Sequence, residues 1–198
     1  MAGGTPATDA LARAGVSFVL HPYDHDAEST NYGDEAATAL GVDPLRIFKT
    51  LVIDVGQARP ELAVAVVPVA GQLSLKNAAH ALGAKRAAMA DKALVARSTG
   101  YVLGGVSPVG QRAVLPTVID ETAQLWETIY VSAGKRGLQV ELSPDDLARV
   151  TGATFADIGE GYGSAWESLG KDGFELITTQ FPVESVVRPV ISFRYGLE

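Results

Sequence analysis

The stretch "STGYVLGGVSPVGQR", residues 98–112, constrains this chain more than any other. Its four glycines and one proline exclude a regular helix or strand running through it. Apolar residues interleave the glycines, so it is not a solvated linker either. It has to be an irregular loop packed into a folded body. Bare backbone there serves one of two ends: close approach of a ligand to main-chain N–H groups, or a tight structural turn. The residues alone leave both open.

The rest of the chain supplies the body. Its 198 residues suit one domain of about 150 residues plus an extension. No apolar run approaches the roughly 20 residues of a membrane span. The longest, "LAVAVVPVAG" at 62–71, is broken by Pro68 and suits a buried strand. No apolar signal core opens the chain and cysteine is absent, so a cytoplasmic protein is expected. The net charge of −7 is unevenly spread. Residues 41–112 carry nine bases and four acids, among them Arg46, Lys49, Lys76, Lys85, Arg86, Lys92, Arg97 and Arg112. Such a middle fits either a polyanion on one face or ordinary solvated charge.

Helical and strand-like segments alternate. "TDALARAG" reads as a helix capped by Thr8 or Asp9 and ended by Gly15. "NYGDEAATALG", "SLKNAAHALG" and "SPDDLARVTG" read as helices, the last with a Ser143 cap and Pro144 in its first turn. "VSFVLHPY", "IFKTLVIDV", "ELAVAVVPV", "AVLPTVID", "TIYVSAG" and "LQVEL" read as strands. After a Gly-rich hinge at 159–163, a short helix and two strands, "FELITTQF" and "VVRPVISFRY", are expected.

Most familiar chemistries find no support. The three histidines include no partner for a "G-x-S-x-G" serine, and neither phosphate-loop pattern occurs. His21 and His25 in "HPYDHD" would share a metal only on a helix; in the extended segment expected here they stand about 13 Å apart. What the residues leave is a backbone site that stabilises an oxyanion by position, the kind used in acyl transfer.

"HPYDHD", "TNYGDEAATALG", "IFKTLV", "LAVAVVPVAGQLSLKNAAHALGAKRAAMAD", "RSTGYVLGGVSPVGQR", "LPTVID" and "TIYVSAGKRGL" together resemble the YbaK family of trans-acting editing proteins, over roughly residues 7–158. The resemblance implies a mixed α/β fold, a barrel-like mixed sheet wrapped by helices, as in the editing domain inserted in prolyl-tRNA synthetases. It divides the chain into an editing domain, 1–158, and an extension of unknown role, 159–198. It implies deacylation of cysteine mischarged on tRNA(Pro), with the tRNA acceptor end as partner, a transient complex with prolyl-tRNA synthetase, and neither cofactor nor metal. Two alternatives stand beside it: a deacylase for another amino acid, such as alanine on tRNA(Pro), and a non-catalytic module that binds the acceptor end.

The resemblance also assigns residues. Lys49 would hold the phosphate or ribose of the terminal adenosine, with Thr50 and Tyr23 in the same pocket. Gly104, Gly105 and Ser107 would act on the ester, flanked by Gly100, Tyr101, Val106 and Pro108. Ser132 and Gly134 would form the opposite wall. Gly105 is expected at positive φ, its bare face against the substrate. Gln139 stands where relatives carry an acidic residue, so no mechanism can rest on a carboxylate there. The chain owns no evident nucleophile, whereas a cysteinyl ester brings its own thiol.

With no thiolate available and no credible histidine cluster, dialysis against a chelator is expected to leave activity intact. Loss of turnover that zinc restores would reverse that expectation.

Overall fold

The structure is a computed structural model, and it describes residues 4–162. The expected helix and strands of the extension fall outside these residues.

Helix α1 (Pro6–Arg13) opens the fold. Its cap is Thr5 rather than Thr8 or Asp9, because Thr5 and Thr8 satisfy each other's backbone N–H in a capping box ahead of Pro6. Strand β1 (Val19–Pro22) and helix α2 (Tyr32–Leu40) follow. Strands β2 (Phe48–Asp54) and β3 (Leu62–Pro68) form an antiparallel hairpin. Its turn is organised by Asp54, whose Oδ1 accepts the N–H groups of Gly56 and Glu61. Short strand β4 (Gln72–Leu73) leads into α3 (Leu75–Ala81), and strand β5 (Ala88–Met89) into α4 (Lys92–Thr99). Strands β6 (Thr117–Asp120), β7 (Ile129–Lys135) and β8 (Leu138–Leu142), helix α5 (Pro144–Thr151) and strands β9 (Thr154–Ala156) and β10 (Gly159–Glu160) complete it. Ser143 caps α5 as expected, accepting from the Asp146 N–H.

A mixed five-stranded sheet runs β5-β2-β3-β6-β9, with β3, β6 and β9 parallel. A three-stranded antiparallel sheet runs β1-β8-β7, and β10 pairs with β4. Gly159 and Glu160, expected in the hinge, therefore belong to the sheet structure. The buried carboxylate of Asp120 anchors this end, its Oδ2 accepting the N–H groups of Ile158 and Gly159. Among the described residues the sheets do not close into one hydrogen-bonded barrel. A single parallel bridge, Ile47 to Tyr130, joins the two larger sheets.

β3 is a continuous apolar run because the sheet is covered on both faces. On one face Val52, Val64, Val66 and Ile119 pack with Leu11, Tyr101, Leu142 and Leu147. On the other, Ile53, Ala63, Ala65 and Val67 meet Ala78 of α3, and the alanines let that helix approach closely.

Arg46 secures the bridge between the sheets. Its carbonyl accepts the Tyr130 N–H, and its guanidinium lies 5.1 Å from the centre of the Tyr130 ring. Nε donates to the Thr128 carbonyl at 2.8 Å and an Nη to Glu141 at 2.7 Å. Burial works to raise the Glu141 pKa, but hydrogen bonds from Thr128, Tyr130 and His21, with the Arg46 charge, outweigh it and hold it below the ordinary 4.5.

Arg46→Ala is expected to cost about 2–3 kcal/mol, the weight of hydrogen bonds to charged groups. Glu141 is ionised more readily folded than unfolded, so its contribution is complete above its ordinary value and fades as pH falls through the lowered one. Urea melts of Arg46→Ala and Glu141→Gln across acid pH check both effects; a Glu141→Gln protein with an unchanged acid limb would contradict the second.

Candidate active site

Strand alternation determines what the edge of β2 presents. Ile47 O accepts the Val69 N–H on the β3 side, and Val52 O accepts the Ala90 N–H on the opposite side. Thr50 opposite Val66 is in phase with Val52 opposite Val64, so the N–H and C=O of Thr50 point away from β3. β5 reaches only Ile53 and Asp54. At Thr50 the edge therefore faces a cleft instead of a strand.

The cleft encloses about 460 Å³, within the range of small-molecule sites. Residues 47–51 of the β2 edge form its floor. Thr30, Asn31, Tyr32 and Gly33, at the start of α2, form one wall. Ser132 of β7, Gln139 of β8 and the loop residues Leu103, Gly104 and Val106 form the other, with Val69 and Lys92 at the margins. Ser132 and Gln139 are directly paired across β7 and β8, which brings them to one face.

Lys49 is half-buried in this cleft. Nζ donates to Gly71 O at 2.5 Å and lies 3.5 Å from Val69 O. Burial pushes its pKa down, partly countered by Asp34. Two of its three N–H donors are thus held by carbonyls, leaving one for an anionic or polar ligand. Thr50 Oγ1 and Gln139 Oε1 are buried without a hydrogen-bond partner. Buried polar atoms are normally paired, and both of these line the cleft, so a polar ligand is their natural complement. Ser132 Oγ accepts from the Gly134 N–H at 3.3 Å, which leaves its own O–H to donate. The lining holds no histidine and no carboxylate.

Of the residues expected at the site, Lys49, Thr50, Gly104, Val106 and Ser132 are brought together here. The others support the site from behind. Tyr101 is buried in the core, its hydroxyl donating to Val109 O at 2.7 Å, and burial pushes its pKa up to about 12. Ser107 is fully buried and its Oγ accepts the Val109 N–H, so its hydroxyl is turned into the loop. Pro108 is buried beside it. Gly100 is the left-handed C-cap of α4, and a Cβ on Gly134 would strike the Tyr101 ring at 2.7 Å. Tyr23 packs with Ala36, Ala37, Ile47 and Tyr130. Gly105 differs from expectation: Gly104, at φ +82°, takes the left-handed conformation, and Gly105 does not. The Gly105 N–H is spent on Val102 O, and its bare face meets the backbone of Lys135 and Arg136 at 3.0–3.1 Å.

The "HPYDHD" segment clamps the site without forming a ligand set. His21 bonds Glu141 at 2.8 Å and His25 bonds Glu35 at 2.9 Å, two separate carboxylates. The His25–Glu35 pair ties this segment to α2, whose Tyr32 faces Gly104. Sequence reasoning gave no site role to Asn31, Tyr32, Gly33 and Phe48, although all four lie in stretches that carry the resemblance.

Residues 27–150 match the aminoacyl-tRNA editing domain family. The chain belongs to that family. A candidate Cys-tRNA(Pro)/Cys-tRNA(Cys) deacylase, EbsC, of Enterococcus faecalis is 42% identical over 125 residues, 63% of this chain and 75% of the relative. A proline–tRNA ligase of Shouchella clausii is 36% identical over 104 residues, 52% of this chain but 18% of the ligase. Among solved structures, a candidate trans-editing enzyme for prolyl-tRNA synthetase is 28% identical with a TM-score of 0.66, covering 79% of this chain and 96% of that one. A hypothetical protein is 27% identical with a TM-score of 0.68, covering 79% and 100%. The YbaK-like fold and the membership read from the sequence are thereby borne out. In this editing domain no helix among the described residues is long and apolar enough to cross a membrane.

Two glycine variants separate packing from the cleft. Gly105→Val sets a branched side chain against backbone and is expected to lower stability by about 1–3 kcal/mol. Gly104→Ala meets the Tyr32 ring at 2.7 Å in a left-handed conformation, costing about 1–2 kcal/mol and displacing the ring that walls the cleft. Thermal melts and turnover read together check this: Gly104→Ala should lose more activity than its stability loss explains.

Proposed function

We propose that this protein is a trans-editing deacylase that clears cysteine mischarged on tRNA(Pro), with the thiol of the substrate as nucleophile. The observation that carries the mechanism is the composition of the cleft. It offers the lysines Lys49 and Lys92, hydroxyls, the amides of Asn31 and Gln139 and free backbone groups, but no cysteine, histidine or carboxylate to attack or to act as base. The family, and the name of the Enterococcus faecalis relative, support the substrate class.

In this reading Lys49 takes the 3′-terminal phosphate or ribose, using the donor that Gly71 and Val69 leave free. Thr50 and Gln139 bind the polar atoms of the aminoacyl group. The sulfur attacks the ester carbonyl carbon, and the oxyanion that forms is met by main-chain N–H groups at the edge of β2 and around Gly104. The carbon–oxygen ester bond then breaks. The thiol proton ends on the departing ribose hydroxyl, and cysteine leaves as a cyclic thiolactone that water opens. Holding the thiol over its own carbonyl can supply about 7–11 kcal/mol. Gln139, uncharged, binds in this scheme and is not a base. Aminoacyl-tRNA is made in the cytoplasm, which is where we place the reaction, with prolyl-tRNA synthetase as a transient partner that delivers the tRNA.

Purified protein should release thiolactone from Cys-tRNA(Pro) at early times, detected by mass spectrometry, and act far more slowly on Ser-tRNA(Pro). Equal rates with free cysteine as the first product would point to an activated water. Retained tRNA binding with no cleavage would mark a binding module. Lys49→Ala should lower kcat/KM about ten- to a hundredfold, the weight of one charge-assisted hydrogen bond of about 1.5–3 kcal/mol, with little change in melting temperature.

A further inference from the structure

A second concavity of about 460 Å³ lies beside α3, and nothing in the reaction above uses it. Leu75 and Ala79 form its base, and Lys76, His80, Lys85 and Arg86 surround it. No carboxylate lines it. Lys76, His80, Lys85 and Arg86 are exposed. Among the described residues neither lysine lies within ion-pair distance of a carboxylate. Arg86 is partly committed, donating to the carbonyls of Gly56 and Gln57. The two lysines are the free charges. In a chain of net charge −7, a carboxylate-free concavity ringed by cations is a local reversal of sign that a polyanion would seek.

Its position adds to its charge. Val69 lines the reaction cleft and its carbonyl faces Lys49, while Lys76 lines the second concavity. Lys76 follows Val69 by seven positions, at most about 25 Å of fully extended chain. One nucleic acid can therefore span both. We propose that Lys76 and Lys85 form a phosphate-backbone subsite for the body of the tRNA whose 3′ end occupies the cleft. This rests on the deacylase reading for the identity of the RNA. The chemistry is that of backbone positioning: lysines neutralise phosphates without reading bases, and release of counterions makes the binding salt-dependent.

The test uses the full chain and the double variant Lys76→Glu/Lys85→Glu, with Lys76→Arg/Lys85→Arg as the charge-keeping control. All these side chains are exposed, and thermal melts confirm folding. Three substrates are compared: Cys-tRNA(Pro), a cysteinyl ester of the trinucleotide CCA, and uncharged tRNA(Pro) for direct binding. For the whole tRNA, charge reversal should raise KM severalfold with kcat retained. For binding of uncharged tRNA, it should lower the slope of log K against log salt by about two, one for each lost phosphate contact. Turnover of the CCA ester should be unchanged, and the arginine pair should behave as the wild type. A charge-reversed protein with unaltered KM and salt slope overturns the subsite, as does a wild type that binds uncharged tRNA without salt dependence. If the wild type cleaves neither ester, the deacylase reading fails, and the binding measurement still decides the subsite.

Discussion

The cleft exists because, among the described residues, the segment leading into β2 is bridged to β7 only once, at Ile47 and Tyr130. Arg46 holds that meeting point from three directions: its carbonyl takes the Tyr130 N–H, its guanidinium reaches Thr128 and Glu141, and the Tyr130 ring lies beside it. Glu141 and Tyr130 are paired across β8 and β7, and the next like-facing pair along the strands is Gln139 and Ser132. On β2 the matching step runs from Arg46 past Phe48 to Thr50. At the first level the two sheets are bonded; at the second they have parted, and the groups that would have completed a ladder line an open space. A closed barrel would have paired the Thr50 backbone and removed the site.

The unpaired polar atoms follow from this gap. Thr50 Oγ1 and Gln139 Oε1 are buried without partners, a condition that costs about 1–3 kcal/mol for each such group. Among the described residues one further buried side-chain atom lacks a partner, Nε2 of His25, whose Nδ1 is held by Glu35. Asp120, fully buried, has both carboxylate oxygens engaged by Thr122, Ile158 and Gly159. Two of the three unpartnered atoms thus lie in the cleft, as expected when a fold departs from its own rules at a working surface.

Strands β1, β2, β3, β6, β7 and β8 and the Gly-ended helices α2 and α5 were legible because each rests on local rules: apolar alternation, caps and left-handed glycines; the two- and three-residue strands β4, β5, β9 and β10 are too short to show alternation. Helix α4 was not, although Asp91 caps it and Gly100 ends it, because Val95 is its one buried apolar residue and no periodicity marks it. Lys49, Thr50 and Ser132 could be assigned by resemblance. Tyr32 and Gly33 could not, since what brings them to the cleft is the close approach of Gly33 to Val69, a contact between elements distant in sequence. The roles of Gly104 and Gly105 were merged for a similar reason. Which of two adjacent glycines turns left-handed, and which packs on a neighbouring hairpin, depends on the β7–β8 end that neither residue announces.

That division of labour answers what the Gly-rich loop needs bare backbone for. Gly105 lets the loop lie directly on Lys135 and Arg136, and Gly134 gives the Tyr101 ring its place beneath. Arg136 then donates to Leu103 O at 3.0 Å and covers the Tyr32 ring at 5.0 Å, so the loop, the hairpin and α2 are fastened at one point. Only Gly104 of these glycines fronts the cleft, and the space of its missing side chain is taken by Tyr32. Most of the glycine content thus serves to hold a wall still, and a single residue of it sets how near that wall stands to the substrate. In the proposed mechanism, which works by orientation with no base in the cleft, that rigidity matters more than any one reactive group.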